Sequence, residues 1–298
     1  MPEINDGEKD LDLTILLPCY NEEEAVAPVV AETRQALAAW PGSYEILIVD
    51  DASRDRTAEV AGGLGVRVVK RVENGGAGAA RKTGIRRARG RLIAMMDADG
   101  TYVPSHLPDL LSYFPAYDQV NGARTSEQGT IKLLRWPAKW MIRRLAIWVS
   151  GKHIPDLNTG MKIFKRDVMM RYLWVVPDGF SCVTSMTLAF LCNGHPVKYV
   201  PVGYRKRIGK SKFHPVRDTA LYGLTVFRIV MYFRPLRVFF PVSLALGLVS
   251  AAKGGYDYFI SAKRTLQESD IMLVQLTIGI LIIGLLADLI VAQRREPV

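Results

Sequence analysis

The chain predicts an α/β fold with a mostly parallel sheet, followed by a helical hairpin able to cross a membrane. Three observations lead there. Apolar runs of strand length alternate with helical patterns from Leu13 to about Val120, polar residues end three of those runs, and the last quarter holds the longest apolar stretches. With 298 residues, 49% of them hydrophobic, the chain has ample material for a packed core, so disorder is not the default.

Taken in order, "LTILLPCY" is a first buried strand, "EEEAVAPVVAETRQALAAW" a helix, "YEILIVDD" a second strand and "RDRTAEVAGGL" a helix. "VRVVKRV" is a third strand, a Gly-rich turn opens the helix "GAARKTGIRRARG", and "RLIAMMD" is a fourth strand, reached through a helix as a parallel sheet requires. Ligands of open α/β sheets bind outside the carboxyl ends of the strands. Tyr20 with Asn21, Asp50 with Asp51, and Asp97 with Asp99 end three of these runs, so they are expected on one rim.

The last quarter changes character. "IMLVQLTIGILIIGLLADLIVA", Ile271 to Ala292, has 22 residues, enough for a hydrocarbon core of about 30 Å. "VFFPVSLALGLVSAA", Val238 to Ala252, needs "KGGYDYFI" to complete a span, with Lys253 snorkelling or lying near the far interface. Arg228, Arg234 and Arg237 before the hairpin and Arg294 with Arg295 after it place both ends in the cytosol by the positive-inside rule. Lys263 and Arg264 in the short outer loop weigh the other way. The competing reading is a pair of core helices in a soluble domain. "PVRDTALYGLTVFRIVMYFR" carries an apolar stripe opposite Arg and Asp, as an interfacial helix or an ordinary amphipathic core helix would. The expected organisation is a tail over 1–12, a catalytic domain over 13–213, an interfacial helix over 214–237 and the hairpin with its tail over 238–298.

The formal charge of +10, from 39 Lys and Arg against 29 Asp and Glu, favours anionic partners such as phosphates, nucleic acid or lipid headgroups. Cys19, Cys182 and Cys192 have neither disulfide-scaffold pairing nor metal-ligand spacing and are expected as core thiols in a reducing compartment. "MPEINDGEKDLDL" is acidic and lacks the apolar core of a secretory signal. His106, His153, His195 and His214 show no metal-ligand spacing, and only His214 lies beside a basic loop.

Six ordered pieces, "LPCYNEE", "IVDDASRDRT", "NGGAGAARKTG", "MMDADG", "DLNTGMKIFKRD" and "YRKRIGKSKFHP", cover about Thr14 to Pro215. In them the chain resembles the family 2 GT-A glycosyltransferases, and within these the polyprenyl-phosphate sugar transferases similar to dolichol-phosphate mannose synthase. The resemblance implies a GT-A catalytic domain, Rossmann-like with a mixed, mostly parallel sheet. It implies that Pro18, Tyr20, Asn21, Glu22, Asp50, Asp51, Ser53 and Ala98 hold the nucleotide of a UDP- or GDP-sugar. Carboxylates suit base N–H and ribose hydroxyl groups, and a tyrosine face suits a base. Glu23 and Glu24 are better explained as charge at a helix N-terminus.

"DADG" resembles the family's Asp-x-Asp element, with Asp97 and Asp99 as catalytic metal ligands for Mg²⁺ or Mn²⁺ and Thr101 where relatives often supply another polar group. The basic loop implies an acceptor-phosphate site of Arg205, Arg207, Lys210 and Ser211, with Arg124 and Arg135 nearby. Lys132, Lys139, Arg143, Arg144, Lys206 and Lys212 add positive charge that a solvated, lipid-facing surface would also explain. Asp156 stands where the resemblance implies an acidic residue near the donor sugar, although a turn or helix-cap residue would also fit there. A hydroxyl acceptor would need it as general base, whereas an anionic polyprenyl phosphate would not.

Two motifs mislead. "GGAGAAR" puts Arg81 where a dinucleotide site has its third glycine and follows the third strand instead of the first. "KLLRW" resembles a processive-synthase element but has Lys132 in place of glutamine and precedes "NTG". Nothing matches a nucleic-acid-binding pattern. The expected activity is inverting, metal-dependent transfer of one sugar to undecaprenyl or dolichyl phosphate by an integral membrane enzyme with a cytosolic catalytic domain. The alternatives are a hydroxyl-acceptor transferase and a non-catalytic nucleotide-sugar-binding scaffold. Gly279, Gly284 and Gln275 would allow helix contacts in a homo-oligomer, and Asp288 is costly in lipid unless it faces a partner helix or the interface.

Overall fold

The computed structural model describes residues 11–125, 143–148, 150–179, 181–207, 224, 227–260 and 265–293. Arg135, Lys210, Ser211, His214 and most of the expected interfacial helix lie outside these. The chain divides into two compact units, Met1–Val226 and Phe227–Val298.

In the first unit, β1 (Leu11–Cys19), β2 (Tyr44–Asp50), β3 (Arg67–Lys70) and β4 (Gly90–Met95) alternate with α1 (Val26–Ala36), α2 (Thr57–Gly63) and α3 (Ala77–Arg87). Short α4 (Leu107–Leu111) leads to β5 (Gln119–Arg124). After it come β6 (Lys162–Lys165), α5 (Arg166–Tyr172), α6 (Cys182–Cys192) and β7 (Val197–Val202). The seven strands lie in the order β3-β2-β1-β4-β6-β5-β7, with β6 antiparallel to both neighbours and every other pairing parallel. β5, β6 and β7 extend the four-strand series read from the sequence.

Period-two alternation in β1 makes the two faces. Leu13, Ile15 and Leu17 join Val26, Val29 and Val30 of α1 and Leu107 and Leu110 of α4. Leu16, with Leu47 and Val49 of β2, packs on the other face against Ala80 and Ile85 of α3 and Met186 and Phe190 of α6. Cys19, Cys182 and Cys192 are buried and form no disulfide, as expected of core thiols.

The second unit begins with helical turns over 227–233 and contains α7 (Leu236–Gly255), a π-helical continuation Tyr256–Ile260, and α8 (Glu268–Gln293). Both spans are long and apolar enough to cross a membrane. Only 11% and 6% of their most apolar windows are buried, which sets aside the soluble-core reading. Lys253 Nζ lies 2.7 Å from both Asp257 and Asp270 and donates to Ser269 Oγ at 2.9 Å. This cluster ties the end of α7 to the start of α8.

Candidate active site

The loops after β1 and β2 are stapled to each other. Asn21 N donates to Ser53 Oγ at 2.9 Å, Arg54 N to Asn21 Oδ1 at 2.8 Å, and Glu22 N to Thr57 Oγ1 at 2.8 Å. Ser53 Oγ also donates to Asp50 Oδ1, and Asp50 is fully buried. Glu23 accepts from Arg56 N at 2.9 Å, so it too fastens the loops. Asn21 and Ala52 both sit at positive φ, 51° and 57°, where non-glycine backbone is strained. The cross-links hold that strain at the rim of the sheet.

Asp51 is fixed from the third motif. Its carboxylate accepts from Arg71, from Gly75 N at 3.2 Å and from Gly76 N at 2.8 Å, and its backbone carbonyl from Asn74 Nδ2 at 3.1 Å. Gly76 has φ +91°, and a Cβ there would lie 2.8 Å from the Asp178 carbonyl, so only glycine makes this turn into α3.

The fourth strand delivers the acidic pair. Asp97 pairs closely with Arg81, which projects from α3 and also donates to Cys182 Sγ at 3.0 Å. Asp99 Oδ1 accepts from Thr101 N and Oγ1 at 3.1 and 2.6 Å, while its Oδ2 lies 3.4 Å from Arg207. Arg207 also pairs closely with Glu22. Burial, and next the charge of Asp97, raise the Asp99 pKa above the usual carboxylate range, against Thr101 and Arg207. Because β6 runs antiparallel to β4 with Lys162 opposite Met95, continuing the register two residues puts Gly160 beside Asp97. A Cβ on Gly160 would fall 2.5 Å from Asp97 Oδ2.

These groups enclose a cleft of about 300 Å³. Pro18, Tyr20, Glu22, Asp51, Asp97, Ala98, Asp99, Arg81 and Arg207 are in its lining, whereas Asn21, Asp50, Ser53, Asp156, Arg124 and Arg205 are not. The first three carry the loops beneath it. Arg124 grips Asp156 with Nε and Nη2 at 2.7 and 2.9 Å and lies 5.3 Å from the Tyr204 ring centre. Burial works to raise the Asp156 pKa, yet the Arg124 guanidinium holds it below the usual range. Arg205 reaches Glu32 of α1 at 3.0 Å, and its N–H donates to Thr101 O at 2.8 Å.

Residues 14–173 match glycosyl transferase family 2, and residues 234–292 match the GtrB C-terminal hairpin. The chain belongs to glycosyl transferase family 2. Among curated relatives, the dolichyl-phosphate hexose transferase of Haloferax volcanii is 29% identical, covering 74% of this chain and 94% of its own. The undecaprenyl-phosphate mannosyltransferase of Micrococcus luteus is 28% identical, covering 66% of this chain and 85% of its own. Glucosyl-3-phosphoglycerate synthase from Mycobacterium tuberculosis, crystallised with Mn²⁺, UDP and glucosyl-3-phosphoglycerate, superposes with a TM-score of 0.57 at 18% identity. That match covers 74% of this chain and 79% of the synthase. The GT-A fold expected from the motifs is therefore the fold observed, and the protein is a family 2 glycosyltransferase carrying a membrane-associating hairpin.

Within that family fold, the motif reading found the carboxylates and missed their supports. Arg81 was visible only as a misfit in a glycine pattern. Gly160 and Lys162 lie within "DLNTGMKIFKRD" but were given no role, because what matters is the antiparallel strand that places them. Thr101 spends its hydroxyl on Asp99.

Proposed function

We propose that the protein transfers one sugar, with inversion, from a nucleoside-diphosphate sugar to undecaprenyl or dolichyl phosphate at the cytosolic membrane face, using Mg²⁺ or Mn²⁺. The observation that carries this is the meeting of Glu22, Asp97, Asp99, Arg81 and Arg207 around one cleft at the carboxyl ends of parallel strands, in a chain with a membrane hairpin. The relatives named for dolichyl- and undecaprenyl-phosphate transfer support the acceptor class.

The donor set suits a hard divalent ion. Asp97 and Asp99 offer carboxylate oxygens, and burial, followed by the neighbouring Asp97 charge, raises the Asp99 pKa, a cost to the carboxylate that a bound cation would offset. Among the described residues no cage of three or more such side chains forms, leaving positions for phosphate oxygens and water. When bound, such an ion neutralises charge on the departing nucleoside diphosphate.

The chain's own groups do the rest. Tyr20 and Pro18 form walls for the nucleoside, and Arg81 fixes Asp97 from the buried side. A phosphate monoester has its second ionisation near about pH 6, so the acceptor oxygen is already nucleophilic at neutral pH. No base is then required. Asp156, locked bidentately by Arg124, suits positioning better than proton abstraction, which favours a phosphate acceptor over a hydroxyl one.

Detergent-solubilised protein incubated with labelled UDP- and GDP-sugars, polyprenyl phosphate and Mg²⁺ or Mn²⁺ should yield a lipid-extractable labelled sugar with at least one donor. Asp97→Ala with Asp99→Ala should abolish it. No labelled lipid with any donor would refute the reading.

A further inference from the structure

Both carboxylates of the Asp97 and Asp99 pair carry an arginine, but the two arginines are held differently. Arg81 comes from α3, has a side chain 6% exposed, and has a second anchor in Cys182 Sγ. Its place is built into the core. Arg207 lies five residues beyond β7, has a side chain 27% exposed, and its buried Nε has no hydrogen-bond partner. It reaches across 185 positions of sequence to Glu22 while facing Asp99 Oδ2 at 3.4 Å. Thr101 takes the other Asp99 oxygen, so the oxygen turned to Arg207 is the one left for a cation.

A divalent ion on Asp99 and a guanidinium 3.4 Å from the same oxygen are like charges competing for one ligand. Arg81 can persist on the inner side of Asp97, while the Arg207 side chain is 27% exposed against 6% for Arg81. We propose that Arg207 is a resident competitor for the metal: it neutralises Asp99 and Glu22 in the metal-free enzyme, is displaced when the metal loads, and then presents its guanidinium to a phosphate oxygen of the acceptor. Guanidinium geometry fits both partners, since carboxylate and phosphate each accept from its fork of N–H donors. The exchange makes acceptor capture follow metal loading. It rests on the glycosyl-transfer reading above.

The test is Mn²⁺ binding to full-length, detergent-solubilised protein without nucleotide, followed by titration calorimetry or by the electron paramagnetic resonance of free Mn²⁺. Arg207→Gln is expected to bind Mn²⁺ about tenfold more tightly than wild type. Arg91→Gln, which removes an equal charge from a residue paired with Asp12, should leave Mn²⁺ affinity unchanged. Asp99→Asn should weaken binding in either background, and circular dichroism checks folding. Arg207→Lys, a retained charge without the fork, should bind Mn²⁺ more tightly than wild type but less tightly than Arg207→Gln, and its gain over wild type serves if the glutamine variant misfolds. In transfer assays Arg207→Gln should combine its higher Mn²⁺ affinity with a raised KM for polyprenyl phosphate. Unchanged or weaker Mn²⁺ binding in Arg207→Gln, an equal gain in Arg91→Gln, or an unaltered KM would each overturn the proposal. Absence of transfer by wild type would instead count against the glycosyl-transfer reading and leave the metal comparison to be judged by itself.

Discussion

Gly160 shows how a residue without functional atoms sets the geometry of one that has them. Its missing Cβ is the space that Asp97 Oδ2 occupies, and its N–H donates to the Tyr102 hydroxyl at 2.6 Å. Gly160→Ala should therefore push Asp97 aside and lower kcat/KM by about 100-fold, the usual penalty for misplacing a reacting group by an ångström. Comparison of melting temperatures separates this from unfolding. Lys162 makes a different prediction. Fully buried, it donates to Thr187 Oγ1 at 2.7 Å, and burial, partly offset by the charge of Asp156, pushes its pKa from 10.5 down to about 7. Its folded value lies below its unfolded one, so between pH 7 and 10.5 the unfolded chain binds more protons than the folded one. Stability from this residue thus rises with pH across that window and is absent below it. Lys162→Met should flatten the rise, gaining most on wild type at pH 7 and below; thermal unfolding at several pH values checks it.

At the scale of elements, β6 and the hairpin are informative. β6 has four residues, too short for a confident periodic pattern, and its antiparallel entry between β4 and β5 depends on pairing partners far along the chain. The first four strands, by contrast, were legible as apolar runs of strand length alternating with helical patterns, and β1, β2 and β4 lead into polar rim residues. In the hairpin, a Cβ on Gly284 of α8 would lie 2.5 Å from Phe239 Cβ of α7, so close approach of the helices depends on glycine there. By contrast, Gly279 has open space around its Cβ position. Gly284→Ile should lower the melting temperature in detergent by several degrees, about 1–3 kcal/mol of overpacking, whereas Gly279→Ile should change it little.

For the whole molecule, the two membrane-capable helices predict that the protein stays in the pellet after alkaline carbonate extraction and needs detergent for release. Thiol labelling of single cysteines introduced near residue 3 and residue 297 should find both reactive from the cytosolic side, the expectation from the arginines flanking the hairpin. Labelling of the two ends from opposite sides would exclude a hairpin topology.

The sequence by itself determined the α/β class, the family, the hairpin and the acidic rim, because strand and helix periods, span length and strand-end residues are local properties of the chain. It also named Asp97, Asp99 and Glu22 as cleft residues. Only the tertiary structure decided that Asn21, Asp50 and Ser53 brace the loops beneath the cleft, that Arg124 is committed to Asp156, and that Arg81 and Arg207 neutralise the acidic pair. The pairings that join different motifs lie far apart in sequence: 16 positions for Arg81 and Asp97, 32 for Asn21 with Ser53 and for Arg124 with Asp156, and 108 for Asp99 and Arg207. No local pattern encodes them; they exist because sheet order and an antiparallel strand bring opposite charges into one poorly solvated cleft, where each must find a partner.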